Sequence, residues 1–135
     1  MARSKALIAV VDDDSSVVRS LARMLRLDGY EVATFGAAQD FLGAVPTLLP
    51  QCLVLDVHMP EMTGYELQER LTAQGYCTPV IMITAHDSPW ARARARQGGS
   101  FGLLVKPFDP QALLGAIAAA LGPSHGLANE PGPGK

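Results

Sequence analysis

Four short apolar runs, each closed by a polar residue, constrain this chain more than any other feature. Leu7-Ile8-Ala9-Val10-Val11 stops at Asp12-Asp13-Asp14, and Cys52-Leu53-Val54-Leu55 stops at Asp56. Pro79-Val80-Ile81-Met82-Ile83 stops at Thr84, and Phe101 to Val105 stops at Lys106-Pro107. A continuous apolar run of this length is the mark of a strand buried on both faces. A weaker run, Tyr30 to Thr34, supplies a fifth strand.

The intervening segments change to helical spacing. Ser15 to Asp28 puts Val17, Val18, Leu21, Met24 and Leu25 on one side and Arg19, Arg23 and Arg26 elsewhere, and Gly29 stops it. Ala37 to Val45 reads as a short helix ended by Pro46. Thr63 with Glu66 fits a capping box opening a helix to about Gln74. Ser88-Pro89 starts another, with proline at or near its first position, and Gly98-Gly99 ends it. Asp109-Pro110 opens the last, carried by Leu113, Leu114, Ile117 and Leu121 and closed by Gly122-Pro123.

Strands that alternate with helices imply a parallel sheet covered on both faces. The expected fold is therefore α/β, a doubly wound, flavodoxin-like, five-stranded parallel sheet of order 2-1-3-4-5 with five helices. A chain of 135 residues, 48% hydrophobic and 18% charged, makes one globular domain with a real core. Residues 1–122 are assigned to it, and 123–135, rich in glycine and proline, to a flexible tail expected to be too short for a DNA-binding domain. A net charge of −2 gives no basic face for nucleic acid. No apolar run approaches the roughly 18 residues of a membrane span. M-A-R-S-K-A runs straight into a strand and is no secretory signal. Cys52 and Cys77, far apart and without metal spacing, read as small core residues of a cytoplasmic protein.

In this topology strands one, three, four and five are neighbours, so their polar ends converge on one rim, where doubly wound sheets bind ligands. Clustered carboxylates repel one another unless a cation is present. A hard divalent ion, magnesium first, suits such oxygens and keeps waters for a phosphate to displace. Lys106 adds a mobile positive charge and Thr84 a hydroxyl, so the rim suits a phosphoryl group with Asp56 as nucleophile. Taken singly, the acidic run would be a solvated turn, Thr84 a strand residue and Lys106 a surface lysine. Their coincidence on one rim carries the argument. Three alternatives use the same residues. A haloacid-dehalogenase-type phosphatase wants D-x-D, where this chain has Asp56-Val57-His58. A flavodoxin-like FMN binder would need its phosphate loop at Asp12 to Ser16, which is acidic. A transition-metal site would use His58 and His86 with Asp56.

V-V-D-D-D, L-D-V-H-M-P-E-M-T-G, I-T-A-H and V-K-P-F, in that order, resemble the receiver (CheY-like) domain of two-component response regulators over about residues 6 to 121. G-Y-E-V-A-T-F-G-A-A-Q-D-F-L is similar to the FixJ-like branch. The resemblance implies that Asp56 accepts a phosphoryl group from a histidine on a sensor kinase. Asp13 directly, Asp12 through water, Asp56 and the backbone carbonyl of His58 would hold Mg2+. Asp14 falls to the helix cap, Thr84 would move toward the phosphoryl group, and Lys106 would pair with it. Met59, Pro60 and Gly64 would shape the loop that presents Asp56, and the Lys106-Pro107 bond would be cis. The expected function is a phosphorelay switch controlling a partner or an output domain, with catalysis limited to its own phosphorylation and slow dephosphorylation.

Two features depart from that family's pattern. Three residues before the lysine, where an aromatic switch is usual, stands Leu103, with Phe101 two residues earlier on the same strand face. The last helix, Gln111 to Leu121, has no charged residue but has Ala112, Ala116, Ala119 and Ala120, which suits a homodimer through the fourth helix, fifth strand and fifth helix. His58 and His86 are expected at the pocket mouth, modulating the access of water. Arg92, Arg94 and Arg96 read as solvated surface, and Trp90 as a half-buried aromatic at a helix start.

Overall fold

A computed structural model describes residues 5–122. The apolar runs become β1 (Leu7–Val11), β3 (Cys52–Asp56) and β4 (Val80–Thr84), which fill the middle of a parallel sheet. β2 (Glu31–Phe35) and β5 (Gly102–Val105) form its edges, giving the order β2-β1-β3-β4-β5. Every residue of β3 and β4 is buried, whereas β2 has none fully buried, with Glu31 and Thr34 exposed and the rest partly buried. That difference follows from position: a central strand has helices over both faces and a neighbour on each side.

Five helices complete the described residues: α1 (Ser15–Leu27), α2 (Ala38–Leu48), α3 (Gly64–Ala73), α4 (Pro89–Gln97) and α5 (Pro110–Leu121). Alternate strand residues divide the core in two. Ile8, Val10, Val54, Ile81 and Ile83 pack with Leu21 and Leu25 of α1 and Leu113 and Ile117 of α5. Ala9, Val11, Leu53, Leu55 and Met82 pack with Phe41 of α2, Leu67 of α3 and Ala95 of α4. Each fully buried aliphatic contributes about 1.5–3 kcal/mol, so both layers hold the strand ends in place.

The helix starts use the caps read from the sequence. Asp14 accepts the Ser16 N–H at 3.0 Å at the head of α1, and Ser88 accepts that of Ala91 at 3.0 Å at the head of α4. Thr63 and Glu66 form the full capping box. Asp109 accepts the Gln111 N–H at 2.9 Å.

Several expectations are corrected. α2 does not end at Pro46 but runs through it to Leu48. Proline's fixed φ is helical, and only its missing N–H is lost this near the end. Leu49, at φ 48°, closes the helix by donating to the Val45 carbonyl. β2 is displaced by one residue toward Phe35, and β5 starts at Gly102, leaving Phe101 just before the strand. Cys52 is core as expected, but Cys77 is exposed. Tyr76 takes the inward place against the core, and Cys77 is left facing out. The alanines of α5 do not form one free face: Ala116 and Ala120 pack against the core, and Ala112 and Ala119 are exposed. The expected tail, 123–135, lies outside the described residues. Among those described, no helix is long and apolar enough to cross a membrane.

Candidate functional site

The register brings the strand ends level. Val11 pairs with Leu55, Asp56 with Ile83, and Thr84 with Val105, so Asp12, Asp56, Thr84 and Lys106 all fall at the carboxyl rim. Backbone bonds fix the two residues just past their strands: the Asp12 N–H donates to the Phe35 carbonyl at 3.1 Å and the Lys106 N–H to the Thr84 carbonyl at 2.7 Å. Asp12, Asp56 and Thr84 are buried at the rim, and Asp13 is exposed beside them.

Lys106 joins two of the carboxylates. Its Nζ lies 3.1 Å from Asp12 Oδ2 and 3.5 Å from Asp56 Oδ1. Asp12 Oδ1 also accepts the Asp14 N–H at 3.0 Å. Carboxylate oxygens of Asp12, Asp13 and Asp56 lie within 4.8 Å of one another. One ammonium cannot neutralise three such groups. Burial first, and the Asp12 charge second, push the Asp56 carboxyl up to about 6, against the opposing pull of Lys106 and the His58 N–H. For Lys106, burial opposes the charge, but the hydrogen bond to Asp12 and the field of both carboxylates outweigh it and raise its pKa. A converging set of hard oxygens with surplus negative charge fits a hard divalent cation.

The Thr84 hydroxyl is held by the loop that follows its strand. Its Oγ1 accepts the His86 N–H at 3.1 Å and donates to the His86 carbonyl at 3.3 Å. The His58 and His86 rings meet edge to face, 5.5 Å between centroids, both exposed on loops leaving the rim. The described residues show no third His, Cys, Asp or Glu completing a metal site with them.

Gly64 sets the loop after Asp56. Its N–H donates to the Val57 carbonyl at 2.9 Å, and a Cβ there would stand 2.6 Å from the Asp56 carbonyl oxygen. No side chain fits, so the first turn of α3 is drawn directly against the strand that carries Asp56. The Lys106-Pro107 bond is cis. Leu103 packs partly buried against the α3 side of the core. It shares a cavity of about 220 Å³ with Phe101, which is half exposed, and with Arg92 and Arg96 of α4.

One cluster escaped the sequence reading. Tyr65 and Trp90 meet edge to face at 5.7 Å, and the Arg94 guanidinium lies 4.9 Å from the Tyr65 ring centroid and 5.8 Å from that of Trp90. Arg94 also pairs with Glu69 at 3.4 Å, so it is not simply solvated surface. Trp90 is 62% exposed, more open than expected. The available signal was an aromatic on α3 and another on α4, four residues before an arginine, but no local pattern says that two helices face each other.

A flavodoxin-like sheet with a lysine-bridged acidic pocket at the carboxyl ends of its strands defines a class of α/β phosphate-handling and signalling domains. Within that class the chain belongs to the response regulator receiver domain family, whose model matches residues 8–118. It is 40% identical over 119 residues to nodulation protein W of Bradyrhizobium diazoefficiens, covering 88% of this chain and 52% of that protein. It is 38% identical over 117 residues to the transcriptional regulatory protein FixJ of Azorhizobium caulinodans, covering 87% and 56%. The fold superimposes on a CheY-like receiver domain protein from Methanospirillum hungatei with a TM-score of 0.82 and 28% identity, over 87% of this chain and 94% of that one. The chain spans about half the length of the curated relatives it matches. The receiver fold, its strand order and the FixJ-like resemblance all hold.

Proposed function

We propose that Asp56 is the phosphoacceptor of this receiver, taking its phosphoryl group from a phosphohistidine on a sensor histidine kinase. The observation that carries this is the placement of Asp56: the end of the central strand, within reach of Lys106, inside a three-carboxylate cluster. Family membership supports the phosphorelay, and the geometry supports the residue.

In the transfer, the donor's P–N bond breaks as an Asp56 O–P bond forms, and the histidine nitrogen keeps the electron pair and takes a proton. Asp56 attacks as its carboxylate, which a pKa of about 6 leaves largely ionised at neutral pH. Lys106 sits where the phosphoryl oxygens arrive and balances their charge. Asp13, Asp12, Asp56 and the His58 carbonyl would hold magnesium, which when bound supplies charge neutralisation for the same oxygens. Thr84 donates its hydroxyl to a phosphoryl oxygen after leaving His86. His58 and His86, on the loops beside the rim, control the approach of hydrolytic water.

The domain so read is a phospho-accepting switch whose own catalysis is limited to its phosphorylation and slow dephosphorylation. It acts in the cytoplasm on a protein partner or an attached output domain. It touches neither nucleic acid nor membrane itself, as its net charge of −2 supports. A homodimer through α4, β5 and α5 belongs to the same proposal, since Trp90, Phe101, Ala112 and Ala119 of that region are exposed. Incubation with acetyl phosphate and magnesium, followed by intact mass, tests the acceptor. One added phosphoryl group that is lost in Asp56→Asn is expected, and an adduct that persists in that variant refutes the assignment.

A further inference from the structure

We propose that the conformational readout of this receiver passes through the Tyr65–Trp90 contact between α3 and α4, clamped by Arg94, rather than through the side chain of Leu103. The proposal rests on the assignment of Asp56 as phosphoacceptor. Both sides of the site lead to this pair. Tyr65 follows Gly64, whose Cα is drawn against the Asp56 carbonyl so closely that a methyl would stand 2.6 Å from it. Tyr65 is therefore tied to the strand that carries the acceptor. Trp90 is the second residue of α4, reached from Thr84 through a segment whose hold on the rim is the double hydrogen bond between Thr84 Oγ1 and the His86 backbone.

When Thr84 gives its hydroxyl proton to a phosphoryl oxygen, its hydrogen bond to the His86 carbonyl is lost and the start of α4 is released. Tyr65 stays fixed while Trp90 does not. Among the described residues, little else holds α4 on its α3 side. Ala91 and Ala95 are its buried residues, and small side chains offer little contact area. On the α3 side the anchors are the clamp itself: the Tyr65–Trp90 edge contact, Arg94 over both rings, the 3.4 Å Arg94–Glu69 pair and a long 3.4 Å bond from the Tyr65 hydroxyl to the Ala91 carbonyl. Elsewhere on the helix, Arg92 pairs with Asp87 at 2.7 Å and the Ser100 N–H donates to the Ala95 carbonyl at 2.9 Å.

The far end of the same interface is imperfect. Gln68 of α3 is buried, and its Oε1 has no hydrogen-bond partner among the described residues. A Cβ on Gly98, which caps α4, would stand 2.8 Å from that oxygen. A buried acceptor without a partner penalises the arrangement that contains it. A position of α4 that hydrates or pairs Gln68 would recover that penalty. Leu103 lies on the opposite flank of α4 and has no polar group or ring with which to report a movement.

Trp90 is the chain's one tryptophan, so its emission reads this contact directly. The experiment follows intact mass and Trp90 fluorescence together, with acetyl phosphate and magnesium, for the parent chain, Tyr65→Leu, Arg94→Met and Leu103→Ala. Arg94 is partly exposed and its methionine variant keeps the stem, so it guards against a Tyr65 variant that fails to fold. The expected result is an adduct accompanied by a shift in Trp90 emission. Releasing the clamp with Arg94→Met or Tyr65→Leu then speeds phosphorylation by roughly two- to twelvefold, the value of an aromatic contact expressed as a population shift. Leu103→Ala leaves the emission change in place. An adduct with no change in Trp90 emission, or clamp variants phosphorylated at the parent rate, overturns the proposal alone. Absence of any adduct on the parent chain overturns the acceptor assignment and this proposal with it.

Discussion

Lys106, at the end of an edge strand, reaches 3.1 Å from Asp12, at the end of a strand three places away, and passes Asp56 at 3.5 Å on the way. One ammonium thereby ties together the two buried carboxylates of the pocket. Its removal leaves Asp12 and Asp56 facing each other with no cation of the protein between them, and breaking a buried pair from one side is costly. Lys106 is partly open to solvent, so the penalty is discounted to about 1–3 kcal/mol. Lys106→Met is expected to lower the melting temperature in EDTA and to recover much of it in magnesium. It is also expected to bind magnesium more tightly than the parent, because a repelling charge has gone. Thermal unfolding of both proteins across a magnesium titration checks this, and equal metal stabilisation of the two would refute it.

Asp56 gives the pocket a pH signature. Its carboxyl titrates near 6 in the fold against an ordinary value of 3.8, raised by burial first and by Asp12 second. Between those values the folded state keeps a proton that the unfolded chain has lost. The contribution to stability is therefore full below about pH 4, falls as pH rises through about 6, and is level above. Asp56→Asn removes the effect, so the variant is expected to be more stable than the parent at pH 7.5 by about 1–3 kcal/mol without metal, and to lose that advantage near pH 4. Urea unfolding of both proteins at the two pH values measures the difference. A gap that does not change with pH would show that Asp56 titrates normally.

The strands, their order and the residues on the rim were legible because each is written locally. An apolar run marks a central strand, the first polar residue after it marks the rim, and the winding rule places Asp12, Asp56, Thr84 and Lys106 together. The caps at Asp14, Thr63, Ser88 and Asp109 were legible for the same reason. What could not be read depends on which helices face each other. Arg94 looks solvated along α4 until α3 brings Tyr65 and Glu69 to it. Cys77 resembles a core residue until Tyr76 takes the inward place. Pro46 looks like a stop because the sequence does not show that Leu49 closes the helix onto Val45.

The two cysteines separate by reactivity. Burial pushes the Cys52 thiol up to about 12, whereas Cys77 is exposed. A thiol reacts as its thiolate. At neutral pH a disulfide reagent is expected to label one cysteine of the native protein, and peptide mapping should find Cys77. Cys52 is expected to react only under denaturing conditions. Equal labelling of both in the native state would contradict the packing of β3 between two covered faces.

Gly64 tests the loop that presents Asp56. A methyl group at this position stands 2.6 Å from the Asp56 carbonyl oxygen and 3.1 Å from the Val57 Cα, and both are backbone atoms that cannot rotate aside. Either the first turn of α3 retreats or the strand end shifts. Overpacking of this kind costs about 1–3 kcal/mol, and here the displaced atoms belong to the acceptor itself. Gly64→Ala is therefore expected to lower stability by that amount and to slow phosphorylation by acetyl phosphate well beyond what the loss of stability explains. Gly43, exposed in α2 with open space around its Cα, is the control. Gly43→Ala is expected to fold at least as well as the parent and to be phosphorylated at the parent rate. Unfolding midpoints and phosphorylation rates of the two variants decide the matter. A Gly64→Ala protein phosphorylated at the parent rate would mean that Asp56 does not depend on the close approach of α3.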